Sequence, residues 1–161
     1  MEIERKYLVA NLPDGLAQCP HEDIEQAYLC TNPTVRVRKY GNRFWLTVKA
    51  HQVGCHGVIV NREEEFELSV DSYLKLKAKC EGLVVKKTRY RVNLENGLVA
   101  ELDIFHDAHE GLRLVEVEFS TVEQAEKFIP PEWFGRDVSD DLRYRNSSLT
   151  FSMSSSSLPS E

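Results

Sequence analysis

Long apolar runs are missing from this 161-residue sequence: none approaches the roughly 20 residues that a membrane-spanning helix requires. Charge begins at Glu2 with no apolar signal-type region ahead of it, so we expect a cytoplasmic protein. Cysteine is sparse. Cys19, Cys30, Cys55 and Cys80 are widely spaced with no CxxC pair, which argues against a disulfide framework or a structural zinc site. His51, Cys55 and His56 sit close together, yet a fourth ligand at a sensible spacing is missing. Three motifs that usually carry phosphate or hydrolytic chemistry are also absent: GxxxxGK[ST], GxSxG and HExxH. Positive charge is in deficit, 20 Lys and Arg against 26 Asp and Glu, for a formal net charge of -6. General affinity for nucleic acid or an anionic membrane is therefore not expected, and any polyanion has to be gripped locally.

What the chain has in quantity is period-two alternation. A single domain of this length can bury its own core, so residues 1–150 are read as one domain and the serine-rich segment from 151 to 161 as a disordered tail. Met1 to Val9 sets Glu2, Glu4 and Lys6 on one face against Ile3, Arg5, Tyr7 and Val9. Gln26 to Thr31 reads as a short strand, and the segment before it from Leu16 has only weak periodicity. Thr34 to Tyr40 and Arg43 to Ala50 form a hairpin about Gly41 and Asn42. Further strands are read over Asn61 to Val70, Val84 to Leu94, Leu98 to Phe105 and Leu112 to Phe119. A helix is expected from Asp71 or Ser72 to Glu81, stopped by Gly82. Thr121 and Gln124 form a capping-box pattern for a short helix to Phe128, and Ser139 opens a last helix.

About eight such strands, mostly in hairpin succession, fit a closed antiparallel barrel, a mainly β α+β fold with a few helices outside. Apolar faces turned inward and charges left in water would satisfy the alternation equally. The charges, however, segregate by strand. Acids stand at Glu2, Glu4, Glu63, Glu65, Glu67, Glu101, Asp103, Glu116 and Glu118, and bases at Arg36, Arg38, Lys49, Lys87, Arg89 and Arg91. Like charges two residues apart repel unless an opposite charge sits between them. Clustered carboxylates are oxygen ligands for Mg2+ or Mn2+, and arginine forks and lysines match phosphate oxygens. A barrel whose lumen carries both sets suits a metal-bound polyphosphate.

Glu2-Ile-Glu-Arg-Lys6 is the ExExK signature of the CYTH family, the triphosphate tunnel metalloenzymes. Arg36-Val-Arg38, Lys49, Lys87-Thr-Arg89-Tyr90, Glu101-Leu-Asp103, Val115-Glu-Val-Glu118 and Asp141-Leu-Arg-Tyr-Arg-Asn146 resemble its motifs in its order over nearly the whole chain. The resemblance implies an eight-stranded antiparallel tunnel with a charged lumen that binds a triphosphate and one or two divalent metals, with the apolar strand faces meeting helices outside. It also implies roles. Glu2, Glu4, Glu116 and Glu118 resemble the metal-binding set, with Glu65, Glu67, Glu101 and Asp103 as further acidic candidates. Lys6, Arg36, Arg38, Lys49, Lys87 and Arg89 resemble the phosphate clamp. Lys87, a lumen carboxylate such as Glu65, and Tyr28 are candidates for catalysis. Family members often carry an arginine two residues before the first glutamate of the fifth strand, whereas Arg62 has the wrong parity. Either a bulge re-aims it or Glu63 takes its place.

The expected reaction is metal-dependent hydrolysis of a terminal phosphoanhydride, with inorganic triphosphate as first substrate because nothing is appended to the compact domain. A thiamine triphosphatase, an RNA triphosphatase and a class IV adenylyl cyclase share the same tunnel. A non-catalytic polyphosphate-binding module is the reading from a different class, and intact acidic pairs in both terminal strands count against it.

Overall fold

The computed structural model describes residues 1–52 and 57–150. The side chains of the His51, Cys55 and His56 grouping, and the tail from 151, lie outside the described residues. Nine strands and three short helices follow in order: β1 Glu2–Val9, β2 His21–Thr31, β3 Thr34–Tyr40, β4 Arg43–Gln52, β5 Ile59–Leu68, α1 Val70–Lys77, β6 Glu81–Asn93, β7 Val99–Phe105, β8 Arg113–Glu118, α2 Val122–Lys127, β9 Phe134–Asp137 and α3 Asn146–Leu149. The strands pair in the order β5-β4-β3-β2-β6-β7-β8-β1, and β1 pairs back onto β5. Eight antiparallel strands thus close into a barrel, which removes the free edges an open sheet would expose. β1 makes the closure by dividing one of its edges. Glu2 to Glu4 pair with Ile59 to Asn61 of β5, while Tyr7 and Val9 pair with Asp137 and Phe134 of β9. The four-residue β9 is too short to show alternation in the sequence.

Register carries the charged positions of neighbouring strands into line. Arg36 stands beside Thr47 and Arg38 beside Trp45 across β3 and β4; Thr47 stands beside Glu65 and Lys49 beside Glu63 across β4 and β5. The apolar faces go mostly outward, as the resemblance implied. Ile3, Tyr7, Ala100, Val115 and Val117 pack with Phe119, Ala125 and Phe134 under α2 and β9, and Ala27 and Val37 pack with Tyr73 under α1. A third cluster was not foreseen. Leu8, Tyr28, Val85, Phe105 and Leu114 lie on the same strand faces as the charged residues, and Val138, Tyr144 and Leu149 pack onto them. The barrel interior therefore changes from charged to apolar along its strands, and the C-terminal segment covers the apolar part. Each large side chain fully buried there contributes roughly 1.5–3 kcal/mol.

Helix ends depart from the sequence reading for local reasons. α1 is capped by Ser69, whose hydroxyl accepts from the Ser72 N–H at 3.1 Å, and it stops at Lys77 because Glu81 is already paired with Tyr28 in the sheet. α2 has the expected cap: Thr121 Oγ1 accepts from the Gln124 N–H at 3.1 Å, and Gln124 Oε1 accepts from the Ser120 N–H at 3.0 Å. Ser139 opens no helix. Its hydroxyl accepts from the Lys6 N–H at 2.9 Å, and Asp141 instead caps a single 3-10 turn, Leu142–Tyr144, ahead of α3. β2 begins five residues before the expected strand, at His21, because residues 21–26 pair with β6. No helix among the described residues is long and apolar enough to cross a membrane.

Glu25 ties α1 to the barrel, accepting from the Tyr73 hydroxyl at 3.0 Å and from Lys77. Partial burial pushes the Glu25 carboxyl up, but these hydrogen bonds and the Lys77 charge outweigh it and hold the group below its usual range. A lowered folded-state pKa adds stability above the unfolded value and loses it as pH falls. We expect Glu25→Gln to cost about 1 kcal/mol at pH 7, discounted for exposure, or roughly 2–4 °C in Tm. The difference should close as pH falls below the carboxylate range, which thermal melts across pH check.

Candidate active site

A cavity of about 510 Å³ occupies the charged part of the barrel, with acids from β1, β5, β7 and β8 and bases from β1, β3, β4 and β6 around it. Lys49 Nζ lies 2.5 Å from Glu2, 3.6 Å from Glu63 and 4.0 Å from Glu4, so one ammonium serves three carboxylates. Lys6 Nζ lies 3.2 Å from Glu116 and donates to the Tyr144 carbonyl at 3.2 Å. Arg89 donates from Nε and Nη2 to the two oxygens of Asp103 at 2.7 and 2.9 Å, and its Nη1 lies 2.5 Å from Glu101. Lys87 is 1% exposed, with Nζ 2.7 Å from Asp103 and 3.4 Å from the Asn146 side-chain oxygen. The Tyr28 hydroxyl accepts from Gln26 Nε2 at 3.0 Å.

Two arginines keep a donor unspent. Arg36 is only 7% exposed; burial acts on its guanidinium, but Tyr28 and Glu63 outweigh it and hold the group above its usual range, and its Nε has no hydrogen-bond partner. Arg38 reaches Glu65 only at 3.5 Å, and its Nε is equally unpartnered. A buried Nε–H without an acceptor costs free energy that an anion in the cavity would offset.

The candidate residues are thus brought together with four exceptions, of which Lys87 is one: it is fully buried against Asp103 and does not itself line the cavity. Glu67 does not line the cavity and is held at 3.0 Å by both arms of the Arg43 fork, outside the acidic set. Asp103 has both oxygens committed to Arg89 and one of them also to Lys87, so it positions cations and has no free oxygen for a metal. Glu101 lines the cavity but is held by Arg89. Arg62 lies on the outer face near Glu64, and Glu63 occupies the lumen position. Arg145, Asn146 and Ser147 also line the cavity. No periodicity announces them, since Arg145 follows a single 3-10 turn and Asn146 and Ser147 open the four-residue α3. Their only sequence signal is the family-like run ending at Asn146.

No family model matches the chain. Among curated proteins, it is 41% identical to the inorganic triphosphatase of Nitrosomonas europaea over 157 residues, covering 94% of this chain and 98% of that one. It is 33% identical to the inorganic triphosphatase of Acetivibrio thermocellus, covering 92% of each. The chain belongs to the inorganic triphosphatase family. A solved inorganic triphosphatase superposes on this family member with a TM-score of 0.71 at 38% identity, covering 96% of this chain and 97% of that one. An adenylyl cyclase candidate from Hippeastrum with a dominant triphosphatase activity shares the fold, with a TM-score of 0.58 at 18% identity over 78% of this chain and 83% of that one.

The electrostatics of this triphosphatase-family barrel are uneven. Burial, with Glu116 and Glu2 nearby, pushes Glu4 up to about 7 despite Lys49. Burial also acts on Glu116, but Lys6, Arg89 and Lys87 outweigh it and hold that carboxyl well below the usual range. The two neighbouring carboxyls are thus pushed in opposite directions. Glu118 is also raised, by partial burial and then by Glu2, Glu101 and Glu63. Burial lowers Lys87 to about 8, with Arg89 adding to the effect and Asp103 opposing it. Acid repulsion thus gathers around Glu4 and Glu118, paired in register, and cation crowding around Arg36, Arg38 and Arg89.

Proposed function

We propose that this chain hydrolyses the terminal phosphoanhydride of inorganic triphosphate inside the barrel, as a divalent-metal-dependent enzyme of the CYTH triphosphate tunnel type. The observation that carries the reading is Arg38, whose guanidinium is pushed below its usual range by burial and by its neighbours Arg36 and Arg89 and reaches Glu65 only at 3.5 Å, in a lumen that also carries an acidic set. Kinship with inorganic triphosphatases over more than nine-tenths of the chain supports the same substrate.

The residues divide the work by sign. Arg36, Arg38, Lys6 and Arg89 hold phosphate oxygens, and Lys87 places its ammonium where charge develops on the transferring group. Glu65 accepts a hydrogen bond from the attacking water, and Tyr28, its hydroxyl already receiving a hydrogen from Gln26, turns its own hydrogen toward phosphate. Water oxygen bonds to the terminal phosphorus as its proton passes to the Glu65 carboxylate, the bridging P–O bond breaks, and pyrophosphate departs with the electron pair.

A divalent cation fits the donor set on chemistry: Glu2, Glu4, Glu116 and Glu118 offer hard oxygens, and the raised Glu4 and Glu118 mark negative charge that Lys49 does not neutralise. Among the described residues no three side chains already converge as a coordination shell, and Lys49 stands between carboxylates instead. When bound, Mg2+ or Mn2+ would neutralise phosphate charge and polarise the bond that breaks.

The test is phosphate release from inorganic triphosphate, thiamine triphosphate and ATP in parallel, with magnesium, manganese or chelator. The expected result is metal-dependent release from inorganic triphosphate well above the other two. Cyclic AMP and pyrophosphate from ATP would make the chain a cyclase, and tight binding with no turnover a binding module.

A further inference from the structure

The C-terminal helix α3 is a single turn, Asn146–Leu149, and one turn does not hold itself in place. At its start, the Asn146 side-chain oxygen accepts from Lys87 Nζ at 3.4 Å. Its other end is where it is fastened. Thr150, the next residue, donates from Oγ1 to the Leu83 carbonyl and accepts at its own carbonyl from the Leu83 N–H, both at 2.6 Å, which clips it to β6 on the N-terminal side of Lys87. The Leu149 carbonyl is one of the orphan acceptors that a helix C-terminus leaves, and His109 Nε2 lies 2.6 Å from it. A carbonyl only accepts, so Nε2 of this ring carries a hydrogen. His109 is fully buried beside Phe105, and its Nδ1 has no hydrogen-bond partner among the described residues. An aliphatic side chain would fill that place without an orphaned nitrogen, so the one N–H is what the ring supplies there. The turn that carries it, Asp107–His109, opens on Asp107 at φ 54°, a left-handed backbone uncommon outside glycine, and the preceding His106 N–H donates to the Lys86 carbonyl at 2.9 Å.

We propose that His109 is a positioning residue for the triphosphatase reaction: through the Leu149 carbonyl it fixes the one-turn α3, and α3 in turn fixes Asn146 against the Lys87 ammonium. This rests on the reading that Lys87 acts on the transferring phosphoryl group. The direction of that ammonium is set by two oxygens, Asp103 at 2.7 Å and Asn146 at 3.4 Å. Asp103 is immobilised by the Arg89 fork, whereas Asn146 is only as well placed as the turn behind it. Asn146 and Leu149 are three residues apart on one face of that turn, so slack at Leu149 is felt at Asn146. The phosphate cradle depends on none of this, because Arg36, Arg38 and Arg89 stand on β3 and β6, which the sheet ladder holds. His109 therefore bears on the rate of the chemical step and not on binding.

The experiment measures kcat and KM for inorganic triphosphate with magnesium, alongside thermal melts, in His109→Leu, His109→Gln, Asn146→Ala, Lys87→Ala and the double variant Lys87→Ala/His109→Leu. His109→Leu keeps most of the volume and removes the donor. Its kcat is expected to fall about tenfold, as a small misplacement of a reacting group costs, with KM changed by less than about twofold. Asn146→Ala should show the same split. His109→Gln returns an N–H at similar reach and should recover most of the lost rate. In the Lys87→Ala background no ammonium remains to be placed, so His109→Leu should cost less than about twofold there, whereas independent contributions would multiply. Thr150→Val removes the neighbouring clip to Leu83 with little change of shape; it should show the His109→Leu split, and it takes that variant's place in the cycle if His109→Leu melts below the assay temperature. The proposal is overturned if folded His109→Leu keeps the wild-type kcat, if its loss falls on KM, if His109→Gln is as slow as His109→Leu, or if the losses multiply in the Lys87→Ala background. If Lys87→Ala itself keeps the wild-type rate, the reading of Lys87 fails instead, and the positioning role with it.

Discussion

Replacing Lys87 by alanine should lower kcat/KM for inorganic triphosphate by about 10²–10³, the range associated with removing one preorganised charge donor. The fold should survive, because Asp103 keeps its two-point contact with Arg89 and no carboxylate is left unpaired. The pH profile then separates the two roles open to Lys87. Burial lowers its ammonium to about 8, with Arg89 adding to the effect and Asp103 resisting. As a clamp, Lys87 works in its charged form, so kcat/KM, which reports the free protein, should fall as pH rises through about 8. A bound polyanion favours the ammonium, which moves the same limb of kcat to higher pH. Lys87→Arg should retain part of the rate and lose the alkaline limb, since a guanidinium does not titrate there. If Lys87 acts as a base, kcat/KM rises through the same pH and the arginine variant is dead. We expect the falling limb, because Asp103 and Asn146 hold Lys87 as a donor.

That lysine also shows why the sequence was informative here. Period-two alternation assigns every barrel strand to two faces, and charge sign sorted by strand identifies which face is unusual; both survive translation into register, as Arg36 beside Thr47 and Lys49 beside Glu63 show. Alternation cannot say how far along a strand a face stays wet. Lys87 and Val85 share one face of β6, yet Val85 lies in the apolar cluster that Tyr144 and Leu149 cover. Nor can it assign partners. Glu67 has the same parity as Glu65 but goes to Arg43, and Asp103 goes to Arg89 and Lys87, because ion pairing depends on the neighbouring strand. The last helix, expected from Ser139, is confined to Asn146–Leu149 for a related reason. The capping residues before it are already used, Ser139 by the Lys6 N–H and Asp141 by a single turn. The sequence-level resemblance supplied the roles, and the geometry redistributed them.

Glu4→Gln should abolish metal-dependent turnover, a loss of at least about 10², while leaving the barrel folded. The side chain is 8% exposed, and a glutamine of nearly the same shape removes the charge without opening a cavity. Burial and the nearby Glu116 and Glu2 already raise Glu4 to about 7, so its charge is a strain on the metal-free protein. In chelator at pH 8 the variant should melt at the wild-type temperature or above it. Added Mg2+ or Mn2+ should separate the two proteins. A cation at a hundredfold excess over its Kd stabilises the wild type by about 2.7 kcal/mol, and the variant should lose most of that gain. The melt reads cation binding independently of catalysis. An equal metal-induced shift in both proteins would remove Glu4 from the cation site even if turnover were lost, and a lower melting temperature for the variant in chelator would mean that Glu4 supports the fold through Lys49 instead. The expected pattern follows from the division of the lumen. Lys49 reaches Glu4 only at 4.0 Å while lying 2.5 Å from Glu2, so Glu4 is the buried carboxylate of β1 whose charge the protein's own cations satisfy least.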